Sequence, residues 1–468
     1  MVSQHGILLA VGIISDHFGP LVSKVCGCLL RHGPLSLQEI VRRLKLSPGQ
    51  VKNSLLILIQ HNCVQAYSTP RGRDNKTVTL YLAIFDNVLH RLRFSKFLSV
   101  VRADIPESEA LLEGLLQNGR LTFDQLVGRT LAKIADEQPT STRKRAPKTV
   151  ETVLSLEQKV VRTAVPSDAE RFSEIPYFME GSLNANNDHH NVVTGDKRKH
   201  EALEVDEEDS IIAENEVLWR ANSEKFIFCL KKKFCAERKK TKLKLGTLAI
   251  WEAFFEANVT TNDNKTVTSP INGILERVGQ KEGGASMTLD QIISVLNDLE
   301  CISTTRDPEQ YTFDLNKMVE TCRNDEIESL VKKKHGQEAY TIFRLLLKQG
   351  GPVETDEITD RTILDKQVVH ETLYKLWKDE YIDTERVPSA ASGTGNTQFF
   401  VWRVKNTYQE HCIDDLYHAA LNLHQMVNYM AELLLEGTKD ETKLRNRKNI
   451  LILALTRHDE SLMLFHDF

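Results

Sequence analysis

The 468-residue chain lacks most of what would make it an enzyme, a metal protein or a membrane protein. It has no uninterrupted run of about 18 apolar residues, so no membrane-spanning helix is expected. The opening MVSQHGILLAVGIISDHFG has an apolar patch from Ile7 to Ile14 but no basic segment ahead of it. A signal peptide is therefore not expected. None of the eight cysteines forms a CxxC pair, which excludes a zinc ribbon. Cys26, Cys28, Cys63, Cys229, Cys235, Cys301, Cys322 and Cys412 read as buried, reduced thiols. No Walker loop, GxGxxG turn, HExxH helix or nucleophile elbow occurs. No catalytic residue, metal or cofactor is expected, and the chain reads as a non-enzyme. Positive charge is also not in excess. Sixty Lys and Arg face 65 Asp and Glu, a net charge of −5. Any nucleic-acid contact must be local.

What is present is a repeated pattern of helix signals followed by short alternating strands. Gly33 to Ala83 reads as two helices and a hairpin. Ser36 with Glu39 has the spacing of a capping box. Ser47 with Gln50 repeats it, with Pro48 at the first helical position. Val64 to Tyr67 and Val78 to Tyr81 alternate as half-buried strands. The polar tip between them carries Arg71, Arg73 and Lys76. Apolar helices at Val2–Ser15 and Pro20–Arg31 precede this stretch. Four helix-into-strand segments recur along the chain: VKNSLLILIQHNCVQAY, VETVLSLEQKVVRT, LDQIISVLNDLECIST and VVHETLYKLWKDEYIDT. Four in order point to tandem repeats of one small domain.

The expected fold is mainly α with small β wings. It comprises four tandem winged-helix domains, over 1–84, 85–165, 214–315 and 316–405. Residues 166–213 are too polar to bury a core and read as a disordered charged linker. Within it, the His189-His190 pair lacks the further ligands a metal site needs. Residues 406–468 read as an antiparallel coiled-coil hairpin. Leu416, Ala420, Leu423, Val427, Met430 and Leu434 keep heptad spacing, Gly437 is a break, and Leu444, Leu451, Leu455 and Leu462 continue on a second helix. His458 falls on the seam as a satisfied histidine.

A winged helix that reads sequence inserts its third helix in the major groove and needs Arg, Lys, Asn or Gln on that helix's outer face. Here the first third helix offers only Gln50, Lys52 and Asn53. The second carries Glu151 and Glu157, and the third Asp290, Asp298 and Glu300. The fourth mixes Glu371, Lys375, Lys378 and Asp379. These faces suit protein docking better than base reading. Backbone-contact candidates lie elsewhere: Arg42, Arg43, Lys45, Lys52, Arg71, Arg73 and Lys76, then Arg143, Lys144 and Arg145, then Lys332, Lys333 and Lys334. Lys231 to Lys233 and Arg238 to Lys242 add further basic runs.

The blocks HFGPLVSKVCGCLLRHGPLSLQEIVRRLKLSPGQVKNSLLILIQHNCVQAY, LWRANSEKF, AYTIFRLLLKQG, ETLYKLWKDEYI and FFVWRV resemble, in that order, the large subunit of the RNA polymerase III-specific heterotrimer (POLR3C-like). The resemblance covers nearly the whole chain apart from the linker. It implies a non-catalytic subunit in the nucleus with no membrane association. Its partners would be the polymerase III core at the clamp, the other two heterotrimer subunits, general initiation factors and single-stranded promoter DNA. Its role would be to assist promoter opening and initiation of short non-coding RNAs such as tRNA and 5S rRNA. The alternative resemblance is to the large subunit of TFIIE, a winged-helix general transcription factor. That family carries a zinc ribbon, which the missing CxxC pairs count against.

Overall fold

The computed structural model describes residues 3–71, 76–137, 217–240, 245–257, 265–281, 287–299, 302–304, 309–388, 398–436 and 440–468. Their contacts divide the chain into two units, 1–226 and 227–468.

The first unit is built on α1 (Gln4–His32). Ser3 caps it, its hydroxyl accepting the Gly6 amide at 3.0 Å. The two expected helices form one kinked rod. Gly19 takes φ +84° at the junction, and Pro20 has no N–H to continue the ladder. By length and composition α1 could cross a membrane, with a mean hydropathy of 1.5, which amends the expectation from the sequence. Its apolarity has another destination. Leu9, Ala10, Ile13, Ile14, Val22, Val25, Cys26 and Leu29 are buried in the unit's own core.

After α1 come β1 (Leu35–Ser36), α2 (Leu37–Leu44), α3 (Pro48–Gln60), β2 (Val64–Arg71) and β3 (Lys76–Ala83). Both expected capping boxes form. The Glu39 carboxylate accepts the Ser36 amide at 2.8 Å, and Ser36 Oγ accepts the Glu39 amide at 3.4 Å. Ser47 and Gln50 do the same at 3.1 and 3.3 Å. The strands order β1-β3-β2, all antiparallel, with the hairpin in register from Val64 opposite Ala83 to Arg71 opposite Lys76. α1 packs on α2 and α3. Ile40, Val51, Leu55 and Leu58 are buried beneath it, each contributing about 1.5–3 kcal/mol.

The chain continues through α4 (Phe85–Leu89), a 3-10 turn at His90–Arg93, α5 (Phe94–Asp104), α6 (Glu109–Asn118), β4 (Arg120–Leu121) and α7 (Phe123–Glu137). β5 (Trp219–Arg220) pairs antiparallel with β4, Leu121 opposite Trp219. Trp219, expected at the head of the third domain, thus pairs beside α7. The expected helix and strand within 150–163 and the linker 166–213 lie outside the described residues.

Four hydrogen bonds lock this second segment to the end of α3 and the turn after it. Gln60 Nε2 donates to the Asn118 carbonyl at 3.0 Å and to the Arg120 carbonyl at 2.5 Å. Arg120 Nε donates to Asn62 Oδ1 at 2.8 Å, and Asn87 donates to the Asn62 carbonyl at 2.9 Å. Gly119, at φ +78°, passes so close to Gln60 that a Cβ would lie 2.2 Å from its carbonyl oxygen. Nearby, Arg91 is wholly buried. Its Nη2 lies 3.0 Å from His17 Nδ1, and its guanidinium lies 4.6 Å from the Phe18 ring and 5.2 Å from the Phe94 ring. Burial pushes its pKa down to about 10, against the opposing effect of Cys63, so it stays cationic at neutral pH. The flanking ring faces stabilise that desolvated charge.

The helix α8 (Ser223–Lys240) leads into the second unit. There α9 (Leu245–Glu256), β6 (Thr266–Pro270), α10 (Ile271–Val278), α11 (Leu289–Asp298), β7 (Ile302–Thr304) and β8 (Gln310–Asp314) repeat the helix-and-hairpin order, with strands ordered β6-β8-β7. The core is aromatic. Trp251 lies edge-on to Phe313 at 5.3 Å and to Phe255 at 5.0 Å. Next come α12 (Leu315–His335), α13 (Gln337–Gln349), β9 (Val353–Glu354), α14 (Thr355–Thr362), α15 (Lys366–Lys378), β10 (Ile382–Pro388) and β11 (Gln398–Val404). Their strand order, β10-β11-β9, places the short strand against the second hairpin strand, as in the first unit.

α16 (Tyr408–Leu435) and α17 (Glu441–His466) pack along each other. Gly437 lies outside the described residues. The seam is buried at Leu416, Ala420, Met430 and Leu462, whereas Leu423, Val427, Leu434, Leu444, Leu451 and Leu455 are half-buried. His458 Nε2 lies 2.8 Å from the Leu416 carbonyl, so this histidine is satisfied. The far end of α17 is fixed by two cations. Arg323 Nε donates to the Leu464 carbonyl at 2.9 Å, and Lys231 Nζ donates to Asn316 Oδ1 at 2.6 Å and to the Phe468 carbonyl at 2.8 Å.

Gly119→Ala is expected to lower the stability of the first unit by about 3 kcal/mol, because it combines a clash with backbone and a left-handed φ. Urea denaturation followed by circular dichroism measures this. A loss under 1 kcal/mol would show that the joint with α3 can relax.

Candidate nucleic-acid interface

The basic candidates separate by what holds them. Arg42 and Arg43 lie in the last turn of α2, where their charge complements the carbonyl end of the helix. Lys45 follows in the left-handed conformation, φ 55°, and its N–H closes on the Val41 carbonyl. All three are exposed, as is Lys52 on α3. These four sit on the helix-turn-helix and point to solvent because Ile40, Val51, Leu55 and Leu58 occupy the inner side. Arg71 and Lys76 form the last backbone pair of the β2–β3 hairpin. Arg73, Arg143, Lys144 and Arg145 lie outside the described residues.

In the second unit, Lys332, Lys333 and Lys334 form the last turn of α12 and are exposed. Two of them are engaged within the fold. Lys332 Nζ lies 5.4 Å from the Tyr340 ring. Lys334 Nζ lies 3.0 Å from Asp379 and 3.8 Å from Asp415, tying α12 to the turn after α15 and to α16. Burial works against the Lys334 ammonium, but the hydrogen bond to Asp379 and the charge of Asp415 outweigh it and raise its pKa. Lys334 is therefore a structural cation first. Lys231 corrects the sequence reading further. It is buried, lowered in pKa by desolvation and bonded to Asn316, so it does not belong to a basic surface.

Counting charges on the third helices missed the outer face of α15. Val369, Thr372, Leu373 and Leu376 face the core. His370, Tyr374 and Trp377 are left exposed on the other side, with Tyr374 and Trp377 at 59% and 44%. The signal was available in VVHETLYKLWK, where these three rings have i, i+4, i+7 spacing. Asp290 and Asp298 on α11 are exposed, as their acidic reading anticipated.

Among the described residues, no group of three or more His, Cys, Asp or Glu side chains could hold a metal ion. A cavity of about 30 Å³ beside Arg91, lined also by Asn62, Asn87 and Ser223, has room for a single water and not for a cofactor.

Against known proteins, three family models match in chain order. Residues 8–69 match the RNA polymerase III subunit RPC82 helix-turn-helix domain. Residues 129–310 match RNA polymerase III subunit RPC82, and residues 327–404 match the POLR3C C-terminal winged-helix domain. The chain belongs to the RNA polymerase III subunit RPC82 family. The first match spans α1 to β2, and the last runs from α12 to β11. The family's relatives include the DNA-directed RNA polymerase III subunit RPC3 of Bos taurus, 22% identical over 95% of this chain and 86% of the relative. The Homo sapiens protein of the same name gives the same figures. The Dictyostelium discoideum subunit rpc3 is 34% identical over 25% of this chain and 20% of its own length. A TFIIE-like reading is not favoured by these matches.

His335, at the end of α12, carries a pH dependence. Burial lowers its pKa, and the charges of Lys334 and Lys375 add to this, although Asp379 lies 3.3 Å away and opposes it. A base whose folded pKa is depressed takes up its proton more readily when unfolded. The stability of the second unit should therefore hold above about pH 6.5 and fall as pH drops below that value. His335→Gln should flatten that part of the curve in urea melts at stepped pH. An unchanged slope would mean other groups dominate.

Proposed function

We propose that the chain is a non-catalytic, nuclear subunit of RNA polymerase III. In this reading it joins two other subunits in a heterotrimer beside the clamp and aids promoter opening and initiation on genes for short non-coding RNAs. The observation that carries the reading is the run of three matches to one subunit's family models in chain order. The architecture behind it is four winged helices, over 1–84, 85–165, 214–315 and 316–405, with residues 406–468 as a coiled-coil hairpin. Support comes from the strand order common to β1-β3-β2 and β10-β11-β9, and from the packing of α16 on α17. The exposed Asp290 and Asp298 on α11 suit docking to another subunit.

Single-stranded DNA is the second ligand in this reading, held through its phosphates. Arg42, Arg43, Lys45 and Lys52 are the supporting set, since all four are exposed on one helix-turn-helix. Arg71 and Lys76 at the end of the β2–β3 hairpin, Lys332 and Lys333, and Arg73 and Arg143 to Arg145 outside the described residues, extend it as further candidates.

Affinity purification of the tagged chain from its own cells should recover the large polymerase III subunits by mass spectrometry. Recovery of polymerase II initiation factors in their place would contradict the assignment. Replacing Arg42, Arg43, Lys45 and Lys52 together by Gln should weaken binding to single strands and reduce the slope of log K against log salt by up to about 3. An unchanged slope would remove this face from the contact.

A further inference from the structure

The exposed rings of α15 form a row. At i, i+4 and i+7, His370, Tyr374 and Trp377 lie along one side of the helix. The Tyr374 and Trp377 ring centroids are 5.8 Å apart, with the planes tilted by 38°. Two large aromatic side chains left together in solvent on a helix whose inner face is fully used are informative in a way that scattered apolar residues are not. Lys375 and Lys378 lie on the same helix and are exposed. Among the described residues no ion pair engages either ammonium. Lys366 is committed to Asp356 at 2.6 Å, and Glu371 accepts a hydrogen bond from Gln367 at 3.3 Å.

The surroundings of the rings decide between two kinds of partner. A protein-binding hot spot sits inside an apolar patch from which Lys and Glu are depleted. Here Gln367, Glu371, Lys375 and Lys378 share the solvent side with the rings. Lys378 lies one turn beyond Tyr374, and a ring pair with a cation beside it matches instead the two needs of an unpaired strand, π faces for its bases and positive charge for its phosphates. Duplex DNA would meet the rings as bulk in the groove, with no unstacked base to receive them.

We propose that the outer face of α15 is a stacking platform for single-stranded nucleic acid, with unpaired bases on Tyr374 and Trp377 and a phosphate on Lys378. This rests on the reading that the chain contacts single strands, and it adds a second site that works by stacking and not by charge alone.

The test uses the purified full chain, an oligothymidylate of about 16 nucleotides, and an abasic oligomer of the same length that keeps only sugar and phosphate. The wild-type chain should bind oligothymidylate more tightly than the abasic strand, and binding should quench tryptophan emission. Tyr374→Ala with Trp377→Ala should weaken oligothymidylate binding by at least about tenfold and abolish the difference between the two oligomers. Trp377→Phe should restore most of the difference without the quench. Both side chains are exposed, so the urea midpoint should not move. If the double variant binds oligothymidylate as tightly as wild type, the platform is refuted while backbone binding elsewhere survives. If wild type binds neither oligomer, both readings fall. If oligonucleotide binding is unchanged and polymerase subunits are lost from the purified complex, the rings are a protein contact and the proposal is overturned.

Discussion

A helix-turn-helix with a two-stranded hairpin encloses too little apolar volume to be stable alone. The helices packed on each of these small units answer that constraint. In the first unit α1 supplies the missing wall. It lays Val22, Val25 and Leu29 toward α2 and α3, and this explains why a helix of a globular unit is apolar enough to resemble a membrane span. In the second unit α13 plays the same part against α14 and α15 through Ala339, Ile342, Phe343 and Leu346. A short strand before each helix-turn-helix then closes the hairpin into a three-stranded sheet.

Once the inner faces are used in this way, polar side chains do the joining. In the first unit, Gln60 and Asn62 at the end of α3 bond the segment around Gly119, and Arg91 sits desolvated among His17, Phe18 and Phe94. In the second, Lys231 and Arg323 hold the end of α17, while Lys334 bridges Asp379 and Asp415. Cations engaged within the fold serve here as fasteners. This is why basic residues in the sequence are a poor guide to basic surface.

Local signals were legible where they rest on short-range chemistry. Ser36 with Glu39 and Ser47 with Gln50 cap the helices they were read to cap, and the strands from Val64 and Val78 pair as a hairpin. The phase of the α16 seam was also readable, since Leu416 and Ala420 are buried. Long-range facts were not. Nothing local to Trp219 says that it pairs with Leu121. Nothing in a run of three lysines says that Lys231 is buried while Lys233 is exposed. The platform on α15 was missed for a different reason. Only charge was read from that helix's outer side, although the periodicity that assigns Val369, Leu373 and Leu376 to the core leaves Tyr374 and Trp377 on the outside.

Membership of the RPC82 family ties this chain to transcription by RNA polymerase III. Rapid depletion of the protein in its own cells, followed by quantification of newly made RNA, tests it most directly. The account predicts that unprocessed tRNA and 5S rRNA transcripts decline first while newly made messenger RNA holds steady. Steady tRNA and 5S rRNA synthesis after the protein is gone would contradict it.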